Sequence, residues 1–305
     1  MLIKKSKKNK KGKHSKGRGK ITKKVCAPKR QNDTISCFSK QELLELITLY
    51  NNKVGNNKVS NRIFPNKTKD EIQQKSRKQL YKALETKFTS KCKNERCLVE
   101  NLVKGDKFNK ALKPKYPKEW FEDKNTWLNT YDIENVLNQY QDKHDDFLFL
   151  GAVPIDFDST YYNNKCIADD ICKLSIKNMK QNGHTKLGIV FNLDKHDQPG
   201  SHWVALYCDF KIGTLNFFDS YGMEPPKEVI TLMQRLQKQN ENLGISTTIQ
   251  NNHTEHQRKN SECGMYCIYF IVMRLEGKEM KYFTKRIDDD DVEKKRTLFF
   301  FKEVQ

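Results

Sequence analysis

The sequence lacks any apolar run approaching the roughly 20 residues that a membrane-crossing helix needs, so no membrane span is expected. Before the first lysines it offers only Met1-Leu2-Ile3, too short for a secretory leader, and a secreted product is not expected. Its nine cysteines are an odd number, scattered without the spacing of a disulfide framework, and a reducing interior is the natural compartment. Cys92 and Cys97 stand close together, but no second Cys/His pair sits at metal-ligand spacing. No metal and no cofactor are expected, and the two cysteines read as small buried hydrophobes on a helical segment.

Acidic residues are missing from residues 1–30, where fourteen Lys and Arg stand. With a formal net charge of +19 on the whole chain, about +5 is left for the rest. An arm of residues 1–34 this basic and this poor in apolar residues is expected to be disordered. Residues 1–30 suit non-specific neutralisation of DNA phosphates, or a solubilising or nuclear-import tail.

What is present begins with a helical module, residues 35–105. Ser39 and Glu42 form a capping-box pattern before Leu43, Leu44, Leu46 and Ile47. Ile72, Leu80, Leu84 and Phe88 recur at helical spacing between Asp70 and Phe88, and a third helix covers Glu95 to Leu102. Pro114, Pro117 and their lysines mark a linker, residues 106–118. A second domain, residues 119–305, opens with Trp127-Leu128-Asn129 and an amphipathic helix through Ile133, Val136, Leu137 and Tyr140. Phe147 to Val153 is a buried apolar segment, and Ile167 to Met179 reads as one helix. Strands then dominate: Leu187–Asn192, His202–Asp209, Thr214–Phe218 and Ile245–Ile249, with a helix from Pro225-Pro226 through Leu236. Along His202–Asp209, Val204, Leu206 and Cys208 share a face with His202, and Trp203, Ala205 and Tyr207 take the other. The fold class is α+β, a central mixed or antiparallel sheet flanked by helices.

The chain is organised around Gln257-Arg258-Lys259-Asn260-Ser261-Glu262-Cys263-Gly264, a polar loop running into the apolar helix Ile268–Met273. Cys263 then lies in the first helical turn, where unpaired N–H groups and the helix dipole favour a thiolate. His202 opens one strand and Asp219 follows its hairpin partner, so Asp219 can hold the imidazole in one tautomer. Gln257 sits on a loop able to fold over the helix start, where its amide joins the Cys263 N–H as an oxyanion donor. Thiolate, base, orienter and donor are what acyl transfer by a cysteine requires. Singly, each has a plainer explanation: packing for the cysteine, surface or core for the histidine, a turn for the aspartate. Joint order and spacing single them out. Cys208 and Cys267 read as core, and His253 and His256 are rival bases on a flexible loop.

At these residues the chain resembles the clan of adenovirus-type and SUMO-deconjugating cysteine proteases, whose pattern is His-Trp, then Asp, then Gln, then Cys-Gly. It stands here as His202-Trp203, Asp219-Ser220-Tyr221, Gln257 and Cys263-Gly264, with the clan's intervals between them. The resemblance covers about residues 120–280 and implies the clan's papain-related fold. Phe147-Leu148-Phe149-Leu150-Gly151-Ala152-Val153-Pro154 and Arg286-Ile287-Asp288 bring it nearest the polyprotein-processing proteases of nucleocytoplasmic large DNA viruses, African swine fever virus among them.

The resemblance implies a viral endopeptidase that matures core and capsid precursors after small Gly-Gly-X or Ala-Gly-X sites. It also implies that Trp203 and Trp127 wall a narrow slot, and that the enzyme works in the virion and the host cytoplasm. Two other readings are a deconjugase of SUMO or another ubiquitin-like modifier and a silent DNA- or partner-binding protein.

Overall fold

The computed structural model describes residues 25–105, 107–161 and 165–303, so most of the basic arm lies outside the described residues. The described chain forms two compact units, residues 34–105 and residues 25–33 together with 106 onward.

In the first unit α1 (Lys40–Val54) starts at Ser39 with the expected capping box to Glu42. The single helix expected from Asp70 to Phe88 is instead two, α2 (Lys69–Gln73) and α3 (Arg77–Phe88). The break falls where Ser76 caps α3 and Gln79 answers its backbone, a second start signal inside one periodic stretch. α4 (Glu95–Leu102) lies where expected, and Leu43, Leu46, Leu80, Leu84 and Leu98 are buried. The buried Glu95 carboxylate accepts from Ser36 Oγ (2.5 Å) and Cys37 N (3.0 Å), tying the segment before α1 to α4.

The second unit begins earlier than the sequence suggests. Residues 25–33 are packed rather than part of a free arm: Val25, Cys26 and Ala27 are buried, and Lys113 N donates to Val25 O (2.7 Å). Nor are residues 106–118 a loose linker. Phe108, Ala111 and Leu112 are buried, and Tyr116 N donates to Phe301 O (3.0 Å). Apolar residues scattered among lysines carry no period, so composition concealed them while backbone pairing and burial hold them.

After α5 (Glu119–Glu122), α6 (Thr130–Lys143) and β1 (Phe147–Pro154) come a short hairpin, β2 (Thr160–Tyr161) and β3 (Lys165–Cys166), and two short helices, α7 (Asp169–Cys172) and α8 (Ile176–Gln181). The one helix expected from Ile167 to Met179 is thus interrupted, with Ser175 capping α8. Then follow β4 (Lys186–Asn192), β5 (Trp203–Asp209), β6 (Thr214–Phe218), α9 (Lys227–Glu241), β7 (Thr248–Asn251), α10 (Cys263–Leu275) and α11 (Asp289–Phe299). The sheet order is β1-β4-β5-β6-β7, parallel at both edges and antiparallel in the middle. It is the mixed sheet flanked by helices that the pattern implied.

Every residue of β5 is buried, because helices cover both faces. Val204, Leu206 and Cys208 pack with Val229 and Leu236 of α9, whereas Trp203, Ala205 and Tyr207 pack with α6 and α10. The β5–β6 turn requires Gly213: its φ is +68°, and a Cβ there would lie 1.9 Å from Ser246 O.

The cysteines correct one expectation outright. Cys92–Cys97 and Cys166–Cys172 form disulfides, each across a short local loop that needs no framework spacing. Among the described residues the free thiols are Cys208, Cys263 and Cys267, all buried.

Candidate active site

α10 begins at Cys263 itself, and no side chain caps its first turn. The helix is apolar on all sides and buried from Cys263 to Val272, so it is pinned through the core and its start cannot wander. Gly264 permits close approach there: a Cβ would sit 3.1 Å from Leu128 Cβ and 3.4 Å from Trp203.

His202 comes to this helix start from the residue just before β5. Its Nε2 lies 2.7 Å from Asp219 Oδ1, and Cys263 is near enough to the ring to act on its pKa. With Nε2 engaged, Nδ1 is the nitrogen left for the sulfur. The buried imidazole would lose basicity through desolvation, but Asp219 and Cys263 together outweigh this and raise its pKa to about 9. Protonated His202 is therefore favoured from its ordinary value of 6.5 up to about 9. Its stabilising contribution is complete below the ordinary value and is lost as pH rises through about 9. A pH series of kcat/KM is expected to show an alkaline limb near 9, displaced to lower pH in Asp219→Asn. The limb staying in place in that variant would count against the pairing.

The backbone around Asp219 is over-determined. Asn252, just past β7, accepts from Asp219 N (2.8 Å) and donates to Asp219 O (2.7 Å). Tyr221 N donates to Asp219 Oδ1 (2.9 Å), and the Tyr221 ring stacks on His202 at 4.8 Å between centroids. Sequence reasoning missed both residues, although Tyr221 was within reach. Extending the Ala205↔Phe218 register three more steps puts Tyr221 opposite His202. Asn252 had no such signal, since its place depends on the parallel β6–β7 pairing across α9.

Ser220 anchors the loop to Cys263: its carbonyl accepts from His256 N and Gln257 N, both at 2.8 Å. Gln257 is fully buried, with Oε1 accepting from Ser220 Oγ (2.8 Å). Its Nε2 donates to Lys259 O (2.6 Å) and Tyr221 Oη (3.3 Å). The amide is thus held beside the His202–Tyr221 stack, with its donors engaged by the loop. Asp289, the first residue of α11, accepts from Arg258 N (3.0 Å) and Lys259 N (3.2 Å). Tyr266 Oη reaches the same carboxylate at 3.3 Å.

The rival histidines fall away. His256 is buried, accepts from Ile287 N through Nδ1 (3.1 Å), and is held neutral by burial, with a pKa of about 4. His253 is exposed and pairs with Glu224. Cys208 and Cys267 are core, their thiols pushed upward by burial.

Trp127 and Trp203 line one cavity of about 450 Å³ with Asn192, Gly200 and Ile167. Trp203 is buried and donates from Nε1 to Leu128 O (3.0 Å), whereas Trp127 is 41 % exposed at the mouth. Asn192 Oδ1 accepts from Asp194 N (3.0 Å) and Ser201 N (3.1 Å), fixing the turn that delivers His202. No group of residues within the second unit presents itself as a metal site among those described.

Residues 177–303 match the model of the Ulp1 protease family, C-terminal catalytic domain. The chain is 29 % identical over 265 residues to a thiol protease of Acanthamoeba polyphaga mimivirus, a match covering 83 % of this chain and 85 % of that one. It is 27 % identical over 249 residues to the cysteine protease of African swine fever virus, covering 75 % and 90 % of the two chains. The crystal structure of the African swine fever virus protease superposes with a TM-score of 0.62 at 22 % identity, over 90 % of this chain and 95 % of that one. That likeness establishes a common fold.

Proposed function

We propose that this cysteine protease, whose Ulp1-family catalytic domain lies in residues 177–303, cleaves structural precursor proteins of a virus after small residues, at Gly-Gly-X or Ala-Gly-X sites. The observation that carries the reading is the His202 imidazole held between Asp219 and Cys263 at the start of α10.

In the proposed mechanism His202 forms and orients the Cys263 thiolate, which attacks the scissile carbonyl. The negative oxygen that results is received by the N–H groups of the α10 start and by Gln257, after its Nε2 leaves Lys259 O. His202 then gives its proton to the departing amine, and a water hydrolyses the thioester on Cys263. Asp219 holds the ring throughout.

Small residues at the cut follow from access. Cys263 is only 1 % exposed, so a chain carrying a bulky side chain at the cleaved position would collide before the sulfur was reached. Trp127 at the mouth and Trp203 beneath it suit a flat glycine backbone, and we assign them to the slot. Viral relatives on both sides of the comparison support action on virion proteins, and so a place in the particle and at the cytoplasmic assembly site.

A second reading has its own support, since the protein of another African swine fever virus isolate carries the description SUMO-1 cysteine protease. Incubation with co-expressed core and capsid precursors and, separately, with SUMO fusions separates the two. Mass spectrometry should find cuts after Gly-Gly or Ala-Gly in the precursors; cuts confined to SUMO tails would replace this proposal with deconjugation. A silent binding protein would leave Cys263 unlabelled by iodoacetamide. Non-specific DNA binding by residues 1–30 remains a separate proposal. Deleting residues 1–24 should weaken DNA binding and flatten its salt dependence, and unchanged binding would remove it.

A further inference from the structure

A second cavity, of about 380 Å³, touches the catalytic group from the other side. Leu193, Val204, Phe217, Met223 and Pro226 make it apolar, while His202, Asp219 and Tyr221 form the wall nearest the site. It shares no lining residue with the Trp127–Trp203 cavity. The separation follows from the strand: Trp203 faces the α6–α10 core and Val204 faces the α9 core, so His202 stands at the divide.

Resting on the protease reading, we propose that this cavity is the subsite for the substrate residues following the scissile bond, and that it selects an apolar side chain at the first or second of them. The chemistry supplies the occupant. As the carbon–nitrogen bond breaks, the leaving amine takes its proton from His202, so the peptide beyond the cut must begin within hydrogen-bonding reach of that ring. The apolar hollow bordering His202 receives its side chain, and burial there is favourable in proportion to the apolar area covered.

The lip fits this use. Met223 is 64 % exposed and Tyr221 37 % exposed, although Tyr221 covers the catalytic ring. An exposed, flexible thioether beside a hollow can fold over side chains of different shape. Glu224 also lines the cavity; it is largely exposed, paired with the exposed His253 (3.2 Å) and bonded by Asn251 Nδ2 (2.8 Å). A carboxylate at the exposed side of an otherwise apolar pocket disfavours an acidic substrate residue there.

The test compares substrates with one common sequence ending in Gly-Gly. One is a methyl ester, whose leaving group carries no residue. The others are internally quenched peptides continuing with Leu, Phe or Asp at the first or second position past the bond. For the wild-type chain, kcat/KM for the better Leu or Phe peptide is expected to exceed that for its Asp counterpart at least tenfold. In Met223→Glu the ratio of Leu-peptide to ester kcat/KM should fall at least tenfold, and Met223→Leu should restore it. Equal rates for Leu and Asp at both positions, or an unchanged ratio in Met223→Glu, would overturn the assignment while leaving ester cleavage as evidence for the protease. Failure of the wild-type chain to cleave ester and peptides alike would sink the protease reading, and this subsite with it.

Discussion

Cys263→Ala is expected to lose kcat/KM on the order of 100,000-fold on a Gly-Gly peptide, without unfolding. In the proposed mechanism the Cys263 sulfur is the one protein atom that bonds to the substrate, so nothing else can take over its step. The protein should nevertheless persist, because Cys263 is one residue of a helix buried along its whole apolar length, and Ala is the better helix former. His202→Ala should cost a similar factor, and the double variant little more than either alone, since the two act as one unit. Asp219→Ala is expected to keep more activity, with a loss on the order of 1,000- to 10,000-fold, because it orients rather than reacts. Initial rates measured beside circular dichroism of each variant check the set. Near-normal turnover in a folded Cys263→Ala protein would rule out the mechanism.

The second large effect concerns stability. Arg296 of α11 donates through Nη2 to Glu262 Oε1, with Nε 3.4 Å from Oε2, and both side chains are almost wholly buried. The guanidinium also lies 4.0 Å from the Trp120 ring centre and donates to Lys124 O (2.7 Å). Burial pushes the Glu262 carboxyl upward, and Arg296 only partly offsets this. Arg296→Met would therefore leave a buried carboxylate without its cation, for a loss of about 3–5 kcal/mol. Adding Glu262→Gln should recover most of it, since removing both charges also removes the desolvation penalty. Urea midpoints at constant slope measure both values. An Arg296→Met protein as stable as wild type would show that the pair does no more than a surface contact. Because Glu262 immediately precedes Cys263, the destabilised variant should also lose activity below its melting temperature.

How far the site could be read from the residues depends on how each is held in place. His202, Asp219 and Cys263 are set by short-range rules: a hairpin that brings two strand ends together, and a helix that starts where an apolar run begins. Such rules act on neighbours in sequence, and alternation along β5 sorted its two faces correctly. Gln257 does lie beside Tyr221, but its engagement with Lys259 and Tyr221 depends on the path of a loop, which has no periodicity. Asn252, Asp289 and Arg296 were invisible for a related reason. Each acts on a partner about 30 residues or more away through packing, and an isolated Asn, Asp or Arg looks the same whether it faces solvent or a backbone amide. The ends of the packed unit were misjudged because residues 25–33 and 106–118 are rich in lysine, while the few apolar residues among them carry the packing.

The Asp289 carboxylate that receives Arg258 N and Lys259 N has a consequence for the life of the chain on the ribosome. Synthesis proceeds from the amino end, so nucleophile and imidazole both emerge before the residue that steadies the segment between Gln257 and Cys263. A polypeptide stalled short of α11 would hold His202, Asp219 and Cys263 without the carboxylate that fixes the loop before α10, so that loop can take its final path only once Asp289 has been made.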